Sequence, residues 1–213
     1  ITITASGGPF RNMPRKNLNN VTIDQALTHP IWKMGKKISI DSATMMNKAL
    51  EIIEAKYLFD LKDSQINAII HPQAIIHAII NYKNGVSSAL MNKPDMRIPI
   101  SSLFFKFESY SKNSKQLSLV DHSNLEFFDI DPFKFPAIKL GREVMKMGGL
   151  APNALNYLNE ILVKHFLSGS IKFLDIVSLN EINLEKIFAK NRNIMNPKLI
   201  DIRNVNNWID KNL

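Results

Sequence analysis

Residues 41–51 read Asp-Ser-Ala-Thr-Met-Met-Asn-Lys-Ala-Leu-Glu, and this run holds the densest set of side chains able to do chemistry. Asn47 and Glu51 stand four residues apart and Lys48 and Glu51 three, so on a helix the three side chains are neighbours. The Ser42 hydroxyl at a helix N-terminus, with the Asn47 amide and the Lys48 ammonium in the first turns, suits an anion such as a phosphate. The Glu51 carboxylate, one turn further on, suits a metal or another cation. The same residues also compose an ordinary capped amphipathic helix with a surface Lys–Glu pair. Spacing alone does not separate the two readings.

The elements that must position these groups follow from patterning. Residues 37–40, Lys-Ile-Ser-Ile, alternate and predict a short buried strand. Met46, Ala49, Leu50, Ile53 and Tyr57 then recur at helical spacing and predict one buried helix face. Asp41, Ser42 and Thr44 fall at the expected strand-to-helix turn, where short oxygen-bearing side chains cap. Residues 1–4 predict a strand that ends in a Gly7-Gly8 turn. There backbone N–H groups can approach a ligand beside the Ser6 hydroxyl, unless the turn is simply tight. Thr22-Ile23-Asp24-Gln25 predicts a helix start. His29 to Gly35 predicts a loop, punctuated by Pro30, whose Trp32 and Met34 either plug a core edge or cover a ligand.

Further on, residues 66–70 predict a buried strand with His71 at its end as a core histidine. Residues 76–82, which include His77, predict the next strand. Asn84-Gly85 predicts a hairpin into residues 86–90, so the sheet contains antiparallel pairs. Pro94 and Pro99 bracket Asp95-Met96-Arg97 ahead of an apolar helix over residues 100–105. Residues 108–115 have the composition of a linker, with short strands expected at 117–120 and 125–128. From residue 136 the pattern is helical, with helices expected over 137–147 (stopped by Gly148-Gly149), 152–167, 174–189 and 205–213. The expectation is an α+β chain: a catalytic α/β domain with a mixed sheet over residues 1–106, a linker with short strands over 107–135, and a small C-terminal helical bundle over 136–213.

Composition bounds the rest. The chain has 213 residues, enough to bury a core, and 45% hydrophobic with 22% charged residues is ordinary for a globular protein. No apolar run is long enough for a membrane helix, and no secretory signal is visible. With Cys 0, disulfides and thiol catalysis are excluded. The first residue is not Met and the chain opens inside an alternating strand, which reads as a fragment lacking an N-terminal part. No G-x-G-x-x-G fingerprint occurs. The formal net charge of +8 raises the prospect of a polyanion partner. However, Lys and Arg are spread along the chain, and the last helix mixes Asp201 and Asp210 with Arg203 and Lys211. A basic nucleic-acid-binding or dimerisation module is therefore the alternative, and no nucleic acid or membrane is expected.

Five stretches taken together resemble 1-deoxy-D-xylulose 5-phosphate reductoisomerases. They are Ala5-Ser6-Gly7-Gly8-Pro9-Phe10-Arg11, His29-Pro30-Ile31-Trp32-Lys33-Met34-Gly35, the run from Ser42 to Glu51, His71-Pro72-Gln73-Ala74-Ile75-Ile76-His77, and Pro94-Asp95-Met96-Arg97-Ile98-Pro99. They stand in the family's order and at about its spacings, over residues 1 to about 180. The resemblance implies that Ser6, Ser42, Asn47 and Lys48 hold a substrate phosphate, and that Glu51 is a metal ligand with a catalytic role. It implies that His29, Trp32 and Met34 belong to a mobile flap over the substrate, that His77 meets the substrate in a catalytic role, and that Met96 approaches the nicotinamide. Ala74 stands where Ser is usual. Asn156, Asn159 and Glu160 keep the polar frame of a family motif in which Tyr157 and Leu158 replace small residues; its expected role is structural.

The implied cofactors are NADPH and a divalent metal, Mg or Mn. The implied partners are a small phosphorylated sugar and, at full length, a second copy of the chain. The implied location is a bacterial cytoplasm or a plastid-type organelle. The family's NADPH domain and its other metal carboxylates lie before residue 1, so the chain alone is expected to be inactive.

Overall fold

Strand β1 (Thr2–Ala5) is buried along its whole length because it lies inside a mixed sheet. The sheet has the order β2-β1-β3-β4, with β2 at Asn67–Ile70, β3 at Ile76–Asn81 and β4 at Ser87–Met91. β1 runs parallel to β2, with Thr2 opposite Asn67 and Ala5 opposite Ile70, and antiparallel to β3. A central strand rich in threonine must satisfy its hydroxyls; the Thr4 Oγ1 does so by donating to the Ile76 carbonyl at 2.5 Å. Asn84-Gly85 makes the expected hairpin into β4, with Gly85 at φ 86° and the Asn84 carboxamide oxygen accepting from the Val86 N–H at 3.1 Å.

The computed structural model describes residues 1–105 and 117–213. These form two units, Ile1–Gly7 with Asn67–Ile130 and Gly8–Ile66 with Asp131–Leu213. Both units are interleaved along the chain, whereas the sequence reading divides it into consecutive stretches. The expected linker at 108–115 lies wholly outside the described residues.

In the sheet unit, helix α4 (Arg97–Phe105) starts three residues earlier than expected. Neither short strand forms. Residues 120–122 make a turn of 3-10 helix instead, and of residues 125–128 only Phe128 pairs, through one antiparallel bridge to Ile70. His71 beside that bridge is fully buried. Its Nδ1 lies 2.9 Å from the Glu126 carbonyl, and its ring stacks on Phe127 at 4.8 Å.

The helical unit contains α1 (Ile23–Leu27), α2 (Lys36–Thr44), α3 (Met46–Phe59), α5 (Ala137–Met147), α6 (Ala151–Leu167), α7 (Asp175–Lys190) and α8 (Leu199–Asn212). Thr22 caps α1 in a reciprocal pair with Gln25. Gly148 and Gly149, both at positive φ, end α5 as expected. α8 begins six residues before the expected start. Phe10, Leu18, Ile40 and Ala43 pack with Leu162, Phe166, Phe173 and Ile176 in one core. The Phe10 and Phe173 rings meet edge to face at 5.0 Å.

The strand expected over residues 37–40 is corrected: these residues open α2. Alternation misleads here because the buried side of α2 is partly polar, with Ser39, Asp41 and Thr44 buried beside Ile40 and Ala43 while Ile38 is exposed. The hydroxyls make this tolerable by bonding to the helix itself, Ser39 Oγ donating to the Gly35 carbonyl at 3.0 Å and Thr44 Oγ1 to that of Ile40 at 3.0 Å.

The face expected on α3 is corrected in two places: Tyr57 is exposed and Leu50 only half-buried, while Ile52 and Ala55 are buried with Met46, Ala49 and Ile53. α3 packs on α5 at Gly141, where a Cβ would fall 2.7 Å from the Ala49 Cβ and 3.0 Å from its carbonyl oxygen. Gly141→Ala is therefore expected to lower stability by about 1–2 kcal/mol: forcing two helices apart costs more than the helix propensity alanine brings. Denaturant unfolding measures this, and an unchanged midpoint would show that the helices separate freely.

Candidate active site

The chemistry-bearing run does not straddle a strand and a helix. It straddles two helices joined at Met45, a buried non-glycine residue in the left-handed region at φ 64°. Such a conformation costs on the order of 1 kcal/mol and persists only where packing fixes it. Asp41 and Ser42 accordingly lie within the last turns of α2 rather than capping α3. Thr44 alone keeps a capping contact, its Oγ1 accepting from the Met46 N–H at 3.3 Å.

The glycine turn comes close to this joint. Gly8, at φ 63°, lies so near α2 that a Cβ would sit 2.7 Å from the Ser42 carbonyl oxygen and 3.2 Å from the Ala43 Cα. The glycine is thus required by the approach of backbone to backbone. Ser42 itself is half-buried.

The first turns of α3 bring Asn47, Lys48 and Glu51 together as helical spacing predicts. Asn47 Nδ2 donates to Glu51 Oε1 at 2.6 Å, and Lys48 Nζ lies 2.5 Å from Glu51 Oε2. Lys48 is buried at 8% exposure, so this is not the solvated surface pair that spacing alone allows. Glu54, one turn on and largely exposed, has its pKa raised by partial desolvation and then by the charge of Glu51, with Lys48 opposing.

Both Glu51 oxygens are thus engaged, and among the described residues no group of three His, Cys, Asp or Glu side chains could hold a metal ion. Glu51 fits one position of an oxygen shell and does not make a divalent-metal site by itself.

The His29 loop is organised by its own imidazole. His29 Nδ1 accepts from the Ile31 N–H at 3.1 Å and the Trp32 N–H at 2.9 Å. Those bonds require an unprotonated Nδ1, and burial holds the His29 pKa below its ordinary value. Trp32 and Met34 are half-buried.

The sign of the pH dependence follows. The folded pKa lies below the unfolded one, so this order is complete above about pH 6.5 and is lost as pH falls through the depressed folded value. Amide exchange protection at Ile31 and Trp32, corrected for the intrinsic rate, is expected to decline on acidification while that of β2 holds. Parallel profiles would mean that the imidazole does not hold the loop.

Ser6, His77 and Met96 belong to the sheet unit. Ser6 follows β1 and is half-buried, His77 is half-buried in β3, and Met96 is about half exposed before α4. Arg97 beside Met96 grips Asp95 through two guanidinium nitrogens. The structure therefore brings Asn47, Lys48 and Glu51 into direct contact, sets Ser42 on the adjoining helix, and ties Trp32 to His29.

Patterning missed a buried polar network behind Ser42. Asp41 is 2% exposed; Lys37 Nζ lies 2.5 Å from its Oδ2, and Asn159 Nδ2 donates to its Oδ1 at 2.7 Å. Asn180 Nδ2 reaches Asn159 Oδ1 at 3.4 Å. Burial raises the Asp41 pKa, and the bonds from Lys37 and Asn159 oppose the rise. The polar frame around Asn159 was a legible signal, but its partner 118 residues away was not.

By fold this is an α+β protein, with a mixed sheet in one unit and a helical assembly in the other. A model of the 1-deoxy-D-xylulose 5-phosphate reductoisomerase C-terminal domain matches residues 1–59, and a model of the DXP reductoisomerase C-terminal domain matches residues 91–212. The chain belongs to the 1-deoxy-D-xylulose 5-phosphate reductoisomerase family.

It is 47% identical over 190 residues to the reductoisomerase of Afipia carboxidovorans, covering 89% of this chain and 47% of that protein. It is 42% identical over 208 residues to that of Desulforamulus reducens, covering 98% and 53%. A crystal structure of DOX-P reductoisomerase in complex with NADPH, fosmidomycin and magnesium is similar with a TM-score of 0.89 at 36% identity, covering 99% of this chain and 53% of that one. The Zymomonas mobilis enzyme in complex with NADPH gives 0.87 at 37% identity, covering 97% and 52%. The chain thus spans about half the length of the curated relatives it matches. Among the described residues, no helix is long and apolar enough to cross a membrane.

Proposed function

We propose that this chain supplies the substrate-holding and C-terminal parts of an NADPH-dependent reductoisomerase. The enzyme converts 1-deoxy-D-xylulose 5-phosphate to 2-C-methyl-D-erythritol 4-phosphate, toward isoprenoid precursors. Ser6, Ser42, Asn47 and Lys48 bind the phosphate, which anchors the substrate away from its reacting carbons. His29, Trp32 and Met34 close over it and exclude water. His77 exchanges a hydrogen bond with a substrate hydroxyl, and Met96 lies against the nicotinamide.

A divalent ion, Mg or Mn, supplies Lewis-acid polarisation of substrate oxygens when bound, and Glu51 offers it one ligand. NADPH supplies the hydride. Functionally, residues 1–106 form the catalytic part, 107–135 the link and 136–213 the helical bundle. The complete protein acts as a homodimer in a bacterial cytoplasm or a plastid-type organelle, and this chain alone is inactive.

The observation that carries the reading is the buried Lys48 ammonium beside Asn47 on the turn that follows the Met45 joint. Fosmidomycin, a phosphonate, is bound in one of the related structures and serves as the probe. With Trp208→Phe in place, Trp32 is the only fluorescent indole. A saturable change of Trp32 emission on titration, weakened by Asn47→Ala, is expected. No change at millimolar ligand would refute phosphate binding by this chain.

A further inference from the structure

We propose that Asp41 and Asn159 are positioning residues for Ser42 in the last turns of α2, so that α6 sets the place of the Ser42 hydroxyl. The inference rests on the reading of Ser42 as a phosphate contact and names residues that reading does not use.

The argument starts from burial. Asp41 and Asn159 are 2% and 0% exposed, and a carboxylate in such a place needs partners for both oxygens. It has them: Lys37 on one oxygen and Asn159 on the other, at 2.5 and 2.7 Å. Lys37 lies on the same helix, one turn back, so it cannot fix α2 against anything else. Asn159 lies on α6 and can. Asn180 Nδ2 donates to the Ile176 carbonyl at 2.8 Å and reaches Asn159, so the amide is backed by α7.

Asp41 directly precedes Ser42, whose carbonyl already has Gly8 packed against it and accepts from the Met45 N–H at 3.3 Å. A small rotation of α2 would move the Ser42 hydroxyl and its Gly8 contact together. The apolar contacts of Ile40 and Ala43 resist separation of α2 from the core but are tolerant of sliding. The directional bond from Asn159 to Asp41 sets the register.

The hydrogen bonds of the network can be reversed one for one, with the Lys37 ion pair becoming an ammonium–amide bond, which gives a strong test. In Asp41→Asn with Asn159→Asp, the new amide donates to residue 159 and accepts from Lys37, while the new carboxylate accepts from Asn180. We compare the chain as given with Asn159→Leu and with this double exchange. Two quantities are measured at a temperature where every variant is folded: fosmidomycin affinity, and the amide resonances of Gly8 and Ser42.

Asn159→Leu is expected to weaken binding at least about fivefold and to shift both resonances, and the exchange to restore both. A leucine variant that only unfolds at lower temperature, with affinity and resonances unchanged, would overturn the proposal by showing a purely structural role. So would a folded exchange that restores neither quantity. If the original chain binds no fosmidomycin, the phosphate reading fails. The positioning claim is then decided by the resonances: shift and restoration support it, unchanged resonances overturn it. Should Asn159→Leu fail to fold, Asn159→Ser, which is too short to reach Asp41, takes its place under the same criteria.

Discussion

Replacing Lys48 by Met in the complete reductoisomerase is expected to weaken substrate binding by about ten- to a hundredfold, with little change in metal dependence. The loss corresponds to one charge-assisted contact of about 1.5–3 kcal/mol. If Glu51 ligates the metal as proposed, Glu51→Gln is expected to act differently, raising the metal requirement and lowering turnover most. Were the two residues only a surface pair, neither change would cost more than about 1 kcal/mol of stability and kinetics would be untouched. The burial of Lys48 argues against that outcome. The 2.5 Å contact between the two side chains adds a condition: a phosphate drawing on the ammonium and a metal drawing on the carboxylate both loosen the same pair. A double-mutant cycle in steady-state kinetics across a Mg or Mn titration would therefore show coupling. Two near-wild-type enzymes would refute the active-site reading of α3, and one shared phenotype would assign both residues a single job.

Gly8→Ala is expected to cost about 2–5 kcal/mol of stability. The left-handed backbone at φ 63° is unfavourable for any residue with a Cβ, by about 1–2 kcal/mol. The added methyl also meets a carbonyl oxygen of α2 at 2.7 Å, which no rotamer can relieve; overpacking of that kind adds about 1–3 kcal/mol. Chemical denaturation of the variant measures the total. A loss under 1 kcal/mol would mean that the turn can lift off α2 without harm.

Local signals reported local structure faithfully. The Thr22–Gln25 cap, the Asn84-Gly85 hairpin and the Gly148-Gly149 stop each depend on neighbours a few residues away, and each formed. The contacts among Asn47, Lys48 and Glu51 were legible for the same reason. α2 was misread because its buried side is chosen by a partner far along the chain. Ser39 and Asp41 look like solvent-facing residues until Asn159 is placed over Asp41, and without them Ile38 and Ile40 alternate like a strand. The start of α8 was missed because Leu199 and Ile200 are exposed and give no periodic face. At residues 117–120, two leucines and a valine suggested a strand, but apolar content without a pairing partner does not make one. His77 and Met96 were singled out by family resemblance, which patterning could not have supplied.

The order of pairing in the sheet has a consequence for synthesis. Residues 2–5 are made before their partners, and Thr2 must wait for Asn67 and Ile79 before its ladder can close. At about 5–20 residues per second, that is a delay of roughly 4–15 s. Closing a loop of that length then costs about 4 kcal/mol in chain entropy beyond a fixed term. During the wait β1 is an extended segment with both edges open, able to pair with the same segment of a neighbouring nascent chain. Slow codons between residues 8 and 66 would lengthen that exposure, and fast ones would shorten it, without altering any contact of the finished fold.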